Sequence, residues 1–372
     1  MLDVWPEPPI SIRWSAHFDD AGLDNVIATL KHNDRVCEIL VDDLTNSSWG
    51  IVMEAMQRPF PMVTDLHLWS LDDDDDSVLA LPNSLLNGSA TRLRTLSLQS
   101  IPFPVLPDIL LSAPNLLCLT LDDIPLSGYV SSAAMIDCLS PLAKLEELRI
   151  AFRYSHSEQE TRRPPPPTHF VFPVVSAFTF QGRSEYLADI FASIDTPLLQ
   201  YSNNTFLDPV IFRMSQTSTF IGCASTKPIE GLNRAHILFN DDFVEITLSL
   251  RQMLLVFSVK YAGIDSFWRF QSLTRVYYRL PPALANRERF DVGRFGYQRH
   301  SPLWATRMAN ASWPELLHPF AAIKRLSIQG YRPMSCTHTE RTRRRKRRNW
   351  VGGVARATES FCRRIPTAVS SP

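Results

Sequence analysis

Residues able to do chemistry are few in this chain and they stand apart. Cys336 and His338, in "CTHTE", are two residues apart, and a thiolate and an imidazole at that spacing can share a metal ion. Zinc needs three or four ligands, and no second pair stands nearby, so the pair is read as structural. Asp72–Asp76 is a run of carboxylates that resembles a cation loop only in charge. It lacks the ordered Gly and closing Glu of a calcium loop and is expected to be a solvated acidic loop. There is no G-x-S-x-G, no phosphate loop, no H-E-x-x-H and no G-x-G-x-x-G. Thirteen glycines in 372 residues are few for loops that cradle phosphates. No coherent catalytic set emerges, and no cofactor or metal is expected.

The strongest single chemical signal is basic. "RTRRRKRR", Arg341–Arg348, places seven cations in eight positions. Arg343, Arg344, Arg345, Lys346, Arg347 and Arg348 form a nuclear-import candidate or a phosphate-binding tail. The formal net charge of zero conceals this asymmetry. Residues 336–372 hold ten Lys+Arg and two acids, which leaves 28 basic and 36 acidic residues before them, a body of net −8. Six widely spaced cysteines without a C-x-x-C suit free, mostly buried thiols in a reducing compartment. The N-terminus shows no secretory signal, and no apolar run approaches the roughly 18 residues of a membrane span. The chain is therefore expected to be intracellular, cytoplasmic or nuclear, with no membrane partner.

The elements that would position a binding surface are written in a repeated phrase. "RVCEILVDDL", "MVTDLHLWSL", "RLRTLSLQSI" and "NLLCLTLDDI" each follow L-x-x-L-x-L-x-x-L with apolar substitutes. "KLEELRI" supplies Leu145, Leu148 and Ile150, and "VVSAFTF" supplies Val175, Phe178 and Phe180. "LLQYSNNTF" gives a degraded copy through Leu198, Tyr201 and Phe206, and "IKRLSIQGY" restores the phrase at Ile323, Leu326, Ile328 and Tyr331. The first residues of the alternating pairs, 39, 66, 96, 119, 148, 178 and 201, are 23 to 30 residues apart. That is the leucine-rich-repeat range, stretched slightly at its upper end. A three-residue step, strict alternation and another three-residue step describe a chain that turns into a short strand and out again.

Between the phrases, "SWGIVMEAMQRPFP", "VLPDILLSAPNL", "AAMIDCLSPLAKL" and "EYLADIFASIDTPLL" carry apolar residues at i, i+3/i+4 spacing, as helices do. Pro61, Pro114, Pro141 and Pro197 mark their ends. One strand–turn–helix unit cannot bury its own apolar face, so neighbours must stack. The fold expected is α/β, a leucine-rich-repeat-like solenoid or horseshoe over 1–335. Parallel strands line its concave face and helices its convex face, and the register blurs at about 205–320. There "RAHILF", "FVEITLSL" and "SLTRVYYRL" still alternate as strands. "RRPPPPT", Arg162–Thr168, reads as a loop, and 336–372 as a basic, disordered tail.

Residues flanking the inward pair face the other side of each strand. The middle positions are Leu40, His67, Ser97, Thr120, Arg149 and Thr179; the following ones are Asp42, Trp69, Gln99, Asp122, Ala151 and Gln181. His67, Trp69, Gln99, Thr120, Asp122, Arg149 and Gln181 are the candidate partner-binding residues. Trp69 either anchors a partner or tucks under the Asp72–Asp76 loop.

"NDRVCEI", "AMQRPFP", the long stretch from "NGSATRLRTLSL" to "PLSGYVS", "MIDCLSPLAKLEELRIAF" and "ELLHPFAAIKRLSI" together resemble basidiomycete fungal F-box-like proteins with a C-terminal leucine-rich-repeat region. The resemblance covers about residues 1–330. It implies substrate recognition by the repeats, with an F-box docking the adaptor of a cullin–RING ubiquitin ligase. No F-box is seen ahead of "LDVWP", so the adaptor is an expected partner only where an upstream F-box exists. The sequence thus points to a non-enzymatic protein–protein interaction scaffold with an unknown protein on the concave face. The alternative is a nuclear, nucleic-acid-associated protein using Arg341–Arg348. Nucleic acid is the less expected partner, since no aromatic or Gly residues interleave the cluster.

Overall fold

A computed structural model describes residues 8–15, 22–70, 80–82, 84–88, 90–103, 106–154, 169–207, 234–239, 243–249, 253–260, 289–294 and 325–328. The repeated phrases become strands because their apolar residues alternate, which buries one side of an extended chain and wets the other. The strands are β1 (Ile10–Ser15), β2 (Val36–Leu44), β3 (Asp65–Ser70), β4 (Thr95–Gln99), β5 (Cys118–Ile124), β6 (Glu147–Phe152), β7 (Phe170–Val171), β8 (Ala177–Gly182), β9 (Ile194–Asp195) and β10 (Tyr201–Phe206). They continue as β11 (Arg234–Phe239), β12 (Phe243–Ser249), β13 (Leu254–Lys260), β14 (Arg289–Arg294) and β15 (Arg325–Ile328). All but β7 and β9, which pair with each other, join one 13-stranded sheet in the order β1-β2-β3-β4-β5-β6-β8-β10-β13-β12-β11-β14-β15.

Helices fill the connections between neighbouring strands: α1 (Gly22–Leu30), α2 (Asn46–Ala55), α3 (Leu106–Leu111), α4 (Ser132–Leu139) and α5 (Ser184–Ser193). The Thr45 amide donates to Ser48 Oγ at 3.1 Å at the start of α2, and Ser131 Oγ accepts from the Ala134 amide at 3.3 Å at the start of α4. Each bond satisfies a donor that the first turn would otherwise leave open. α3 falls within its stretch whose spacing predicts helix, and α2, α4 and α5 begin one or two residues ahead of theirs. β1 and α1 carry no such expectation and extend the sheet by one strand at its start.

A single apolar core joins the inward strand residues to the helices. Two rows cross it, fixed by the register. Ile39, Leu66, Leu96, Leu119, Leu148 and Phe178 are Cα partners in succession. Val41, Leu68, Leu98, Leu121, Ile150 and Phe180 make the second row. Trp49, Val52, Met135, Ile136, Leu187 and Phe191 cover them from the helices. A chain of backbone bonds ties the strand entries together: Arg94 to Thr64, Leu117 to Arg94, Glu146 to Leu117, Ser176 to Glu146, Gln200 to Ser176 and Leu254 to Gln200, all at 2.7–2.8 Å from amide to carbonyl. At the end of the rows an aromatic group forms, with Phe152 and Tyr186 at 4.9 Å and Phe180 stacked on Tyr186 at 5.9 Å. Gly182 admits this group, since a Cβ there would stand 2.8 Å from the Phe152 ring.

Three expectations need correcting. The degraded copy is shifted by one residue: Leu199, Ser202 and Asn204 face inward, while Leu198 is exposed and Tyr201 half-buried. Ser202 aligns with Phe178 and Asn204 with Phe180, so β10 places two polar side chains where its neighbours place leucines and phenylalanines. They partner each other, Asn204 Nδ2 donating to Ser202 Oγ at 2.9 Å. Next, the sheet is not wholly parallel, because β12 runs antiparallel to both β11 and β13. In the sheet β13, and not β11, follows β10. Finally, Ala151 shares the outward row with its partner Gln181 but is buried, so it offers no surface to a partner. "RAHILF" and the start of "FVEITLSL" are strands as expected, whereas "SLTRVYYRL" and "RRPPPPT" lie outside the described residues.

Candidate functional site

The sheet face opposite the core carries three rows of side chains. At the strand entries stand Glu38, Asp65, Thr95, Cys118 and Glu147; in the middle, Leu40, His67, Ser97, Thr120, Arg149 and Thr179. Beyond them Trp69, Gln99 and Asp122 are successive Cα partners, and Gln181 partners Ala151. All seven candidate binding residues therefore point outward as their spacing predicts, and adjacent rungs lie about 4.8 Å apart. His67, Trp69, Gln99, Thr120, Asp122 and Gln181 are half-buried, and Arg149 is exposed.

Two ion pairs link strands across this face. Arg149 Nη2 donates to both oxygens of Asp122, at 3.1 and 2.9 Å. Arg13 pairs with Glu38 at 2.9 Å, and Ser11 also donates to Glu38. The Ser11 hydroxyl, more than the Arg13 guanidinium, holds the Glu38 carboxyl below its usual range. Gln181 differs from the other candidates, since its Nε2 donates to the Phe152 carbonyl at 3.1 Å and so braces the backbone.

Asp42 is the electrostatic exception. Partial burial pushes its carboxyl up, the neighbouring Asp43 pushes it further, and His67 acts the other way. Burial also raises the half-buried Cys118 thiol, with Glu147, Glu146 and Asp65 adding to the effect, so the carboxylates along the strand entries act on one field. Cys138, inside α4, is pushed to about 11 by burial first and by Asp137 second. Cys37, Cys118 and Cys138 are free thiols, and only Cys138 is fully buried.

Sequence spacing missed a second polar line at the strand exits. Asp43, Ser100 and Asp123, equivalent in their repeats, have φ of 58°, 57° and 53°. Short polar side chains tolerate that left-handed backbone best after glycine. Ser15 donates to Asp43 at 2.6 Å, Ser100 to Asp123 at 2.7 Å, and Arg153 to Asp123 at 2.8 and 3.1 Å. The doubled acids of "VDDL" and "LDDI" are the signal: the first Asp serves the face, and the second turns the chain.

Among the described residues no group of three or more His, Cys, Asp or Glu side chains could hold a metal ion. No helix among them is long and apolar enough to cross a membrane. Cys336, His338, Asp72–Asp76 and the candidates Arg343, Arg344, Arg345, Lys346, Arg347 and Arg348 lie outside the described residues. The chain matches no protein-family model, no curated protein and no solved structure.

Proposed function

We propose that this chain is a non-enzymatic interaction scaffold, a leucine-rich-repeat-like solenoid whose concave side is the outward strand face. One observation carries the reading: six consecutive rungs, β2 to β8, repeat the same register and present a largely polar face with Trp69 in its exit row. From β1 to β10 that face spans seven strand spacings, about 34 Å by about 17 Å along the strands. The resulting roughly 570 Å² approaches the ~800 Å² that one partner contributes to a standard protein–protein interface. A half-exposed tryptophan in the same row as Asp122, which Arg149 pairs, matches the composition of binding hot spots.

The resemblance to fungal F-box-like proteins makes the partner a ubiquitination substrate wherever an F-box accompanies these repeats. Inside the cell, cytoplasm or nucleus would both suit such a role. A nucleic-acid role would rest on Arg341–Arg348, and phosphate would be repelled by the carboxylates of the strand face. The test is affinity capture from the native cell with the wild-type chain and with Trp69→Ala plus Arg149→Ala. A partner retained by the wild type and lost from the folded double variant supports the reading. Equal retention by both removes the strand face as the binding site, and capture abolished by salt and nuclease points to nucleic acid instead.

A further inference from the structure

We propose that the outward face of β2–β6 docks the chain's own Arg341–Arg348 segment, so that an external partner must displace it. The proposal rests on the reading of this face as the binding surface and names its resident occupant.

Charge supplies the first argument. Glu38, Asp42, Asp65, Asp122 and Glu147 all lie on this face. Arg13 and Arg149 pair with Glu38 and Asp122, whereas Asp42, Asp65 and Glu147 form no ion pair among the described residues. Such an arrangement concentrates negative potential where cations approach, over both ends of the strands. It also fits the whole chain, in which a body of net −8 precedes a segment with seven cations in eight positions.

Trp69 supplies the second argument. It stands half-exposed in the row that continues through Gln99 to Asp122, and its ring face can take a guanidinium by cation–π attraction while carboxylates bind the fork. Arginine outnumbers lysine six to one in Arg341–Arg348, which suits that combination.

Reach supplies the third. Arg341 lies 13 residues beyond Ile328, the end of β15, and Arg348 lies 20 beyond it. An extended chain spans about 44 Å and about 68 Å over those lengths. β6 is seven spacings from β15 and β2 is eleven, or about 34 and about 53 Å. The segment can therefore cross the face from β6 to β2 within its own chain. Tethering at that length gives an effective concentration of order millimolar, enough for a weak electrostatic contact to hold the face.

The experiment is zero-length carbodiimide crosslinking of the full chain, read by mass spectrometry. Lys346 is the one lysine of the cluster and can bond only to a carboxylate it touches. Crosslinks from Lys346 to Asp42, Asp65 or Glu147, with a yield independent of protein concentration, are expected. They should vanish in Asp42→Asn, Asp65→Asn, Glu147→Gln. No crosslink to these three, or a yield that rises with concentration, overturns the intramolecular contact.

A second readout uses a labelled peptide of residues 339–350 added to the full chain and to a variant with R343Q, R344Q, R345Q, K346Q, R347Q and R348Q. The variant should bind the peptide about tenfold tighter than the wild type, because its own segment no longer competes. Equal binding to both overturns the proposal. The two ideas fail separately: a missing crosslink leaves Trp69-dependent partner capture untouched, and loss of that dependence leaves the crosslink in place.

Discussion

Replacing Leu119 by alanine tests the repeat register where the structure is most constrained. Leu119 is 1 % exposed and sits in the first inward row, with Leu96 on one side and Leu148 on the other. The strand entries on both sides are held by backbone bonds of 2.7–2.8 Å, so the space left by the missing carbons cannot close by moving a strand. Leu→Ala in such a site removes the transfer free energy of the side chain and leaves a cavity, together about 3 kcal/mol within a 2–5 kcal/mol range. Thr120, the next residue, points to the opposite face and is half-buried. Its alanine variant loses only strand propensity and surface packing, under about 1 kcal/mol. Urea unfolding of both variants, followed by circular dichroism at unchanged m value, gives the two numbers directly. Since a slip of one residue exchanges the faces of a strand, the ratio reads the register. A cost for Thr120→Ala equal to or above that for Leu119→Ala would refute the inward rows.

Other perturbations have definite expected outcomes. Asp123→Ala removes the carboxylate that accepts both Arg153 nitrogens and puts a Cβ without polar support at φ 53°, so it should cost about 2–3 kcal/mol in the same unfolding assay. Asp123→Asn, which tolerates the left-handed backbone, should cost less; equal losses would show that the conformation contributes nothing. The fold raises the Asp42 carboxyl above its ordinary value, so it favours the protonated form, and the stability this contributes at low pH is lost as pH rises through the carboxylate range. Asp42→Asn should therefore melt higher than the wild type at pH 7, the gap closing in acid; a gap that widens in acid would reverse the assignment. Cys138, buried and with its thiol pushed to about 11, should resist iodoacetamide at pH 8 in the folded chain and react on unfolding, as peptide mass mapping would show.

The inward rows were legible because leucine, isoleucine, valine and phenylalanine fill them from β2 to β8, and a period-two pattern between three-residue steps admits one register. The same reasoning slipped at β10, where apolar Leu198 and Tyr201 attracted the template while Ser202 and Asn204 took the buried positions. A side-chain hydrogen bond offsets part of that burial, although Asn204 Oδ1 has no partner among the described residues, and composition does not record the exchange. The antiparallel direction of β12 was illegible for a related reason, since alternation fixes which face a residue occupies and not the direction of its neighbour. On the candidate face, spacing placed all seven side chains outward but could not distinguish Gln181, bonded to a backbone carbonyl, from Gln99. Ala151 keeps its place in the outward row beside Gln181, and spacing could not show that a side chain this small is covered there. The strand-exit line of Asp43, Ser100 and Asp123 depends on a backbone conformation that doubled acids only hint at.

We propose the outward strand face as the place where another molecule binds. The most direct test is a photoreactive amino acid placed at Gln99, in the middle of that face, and separately at Ile51, which is 49 % exposed on the helix side. Both chains are irradiated with the captured partner. An adduct formed from position 99 and absent from position 51 is the predicted result; an adduct from position 51 alone would place binding on the helices and contradict the account.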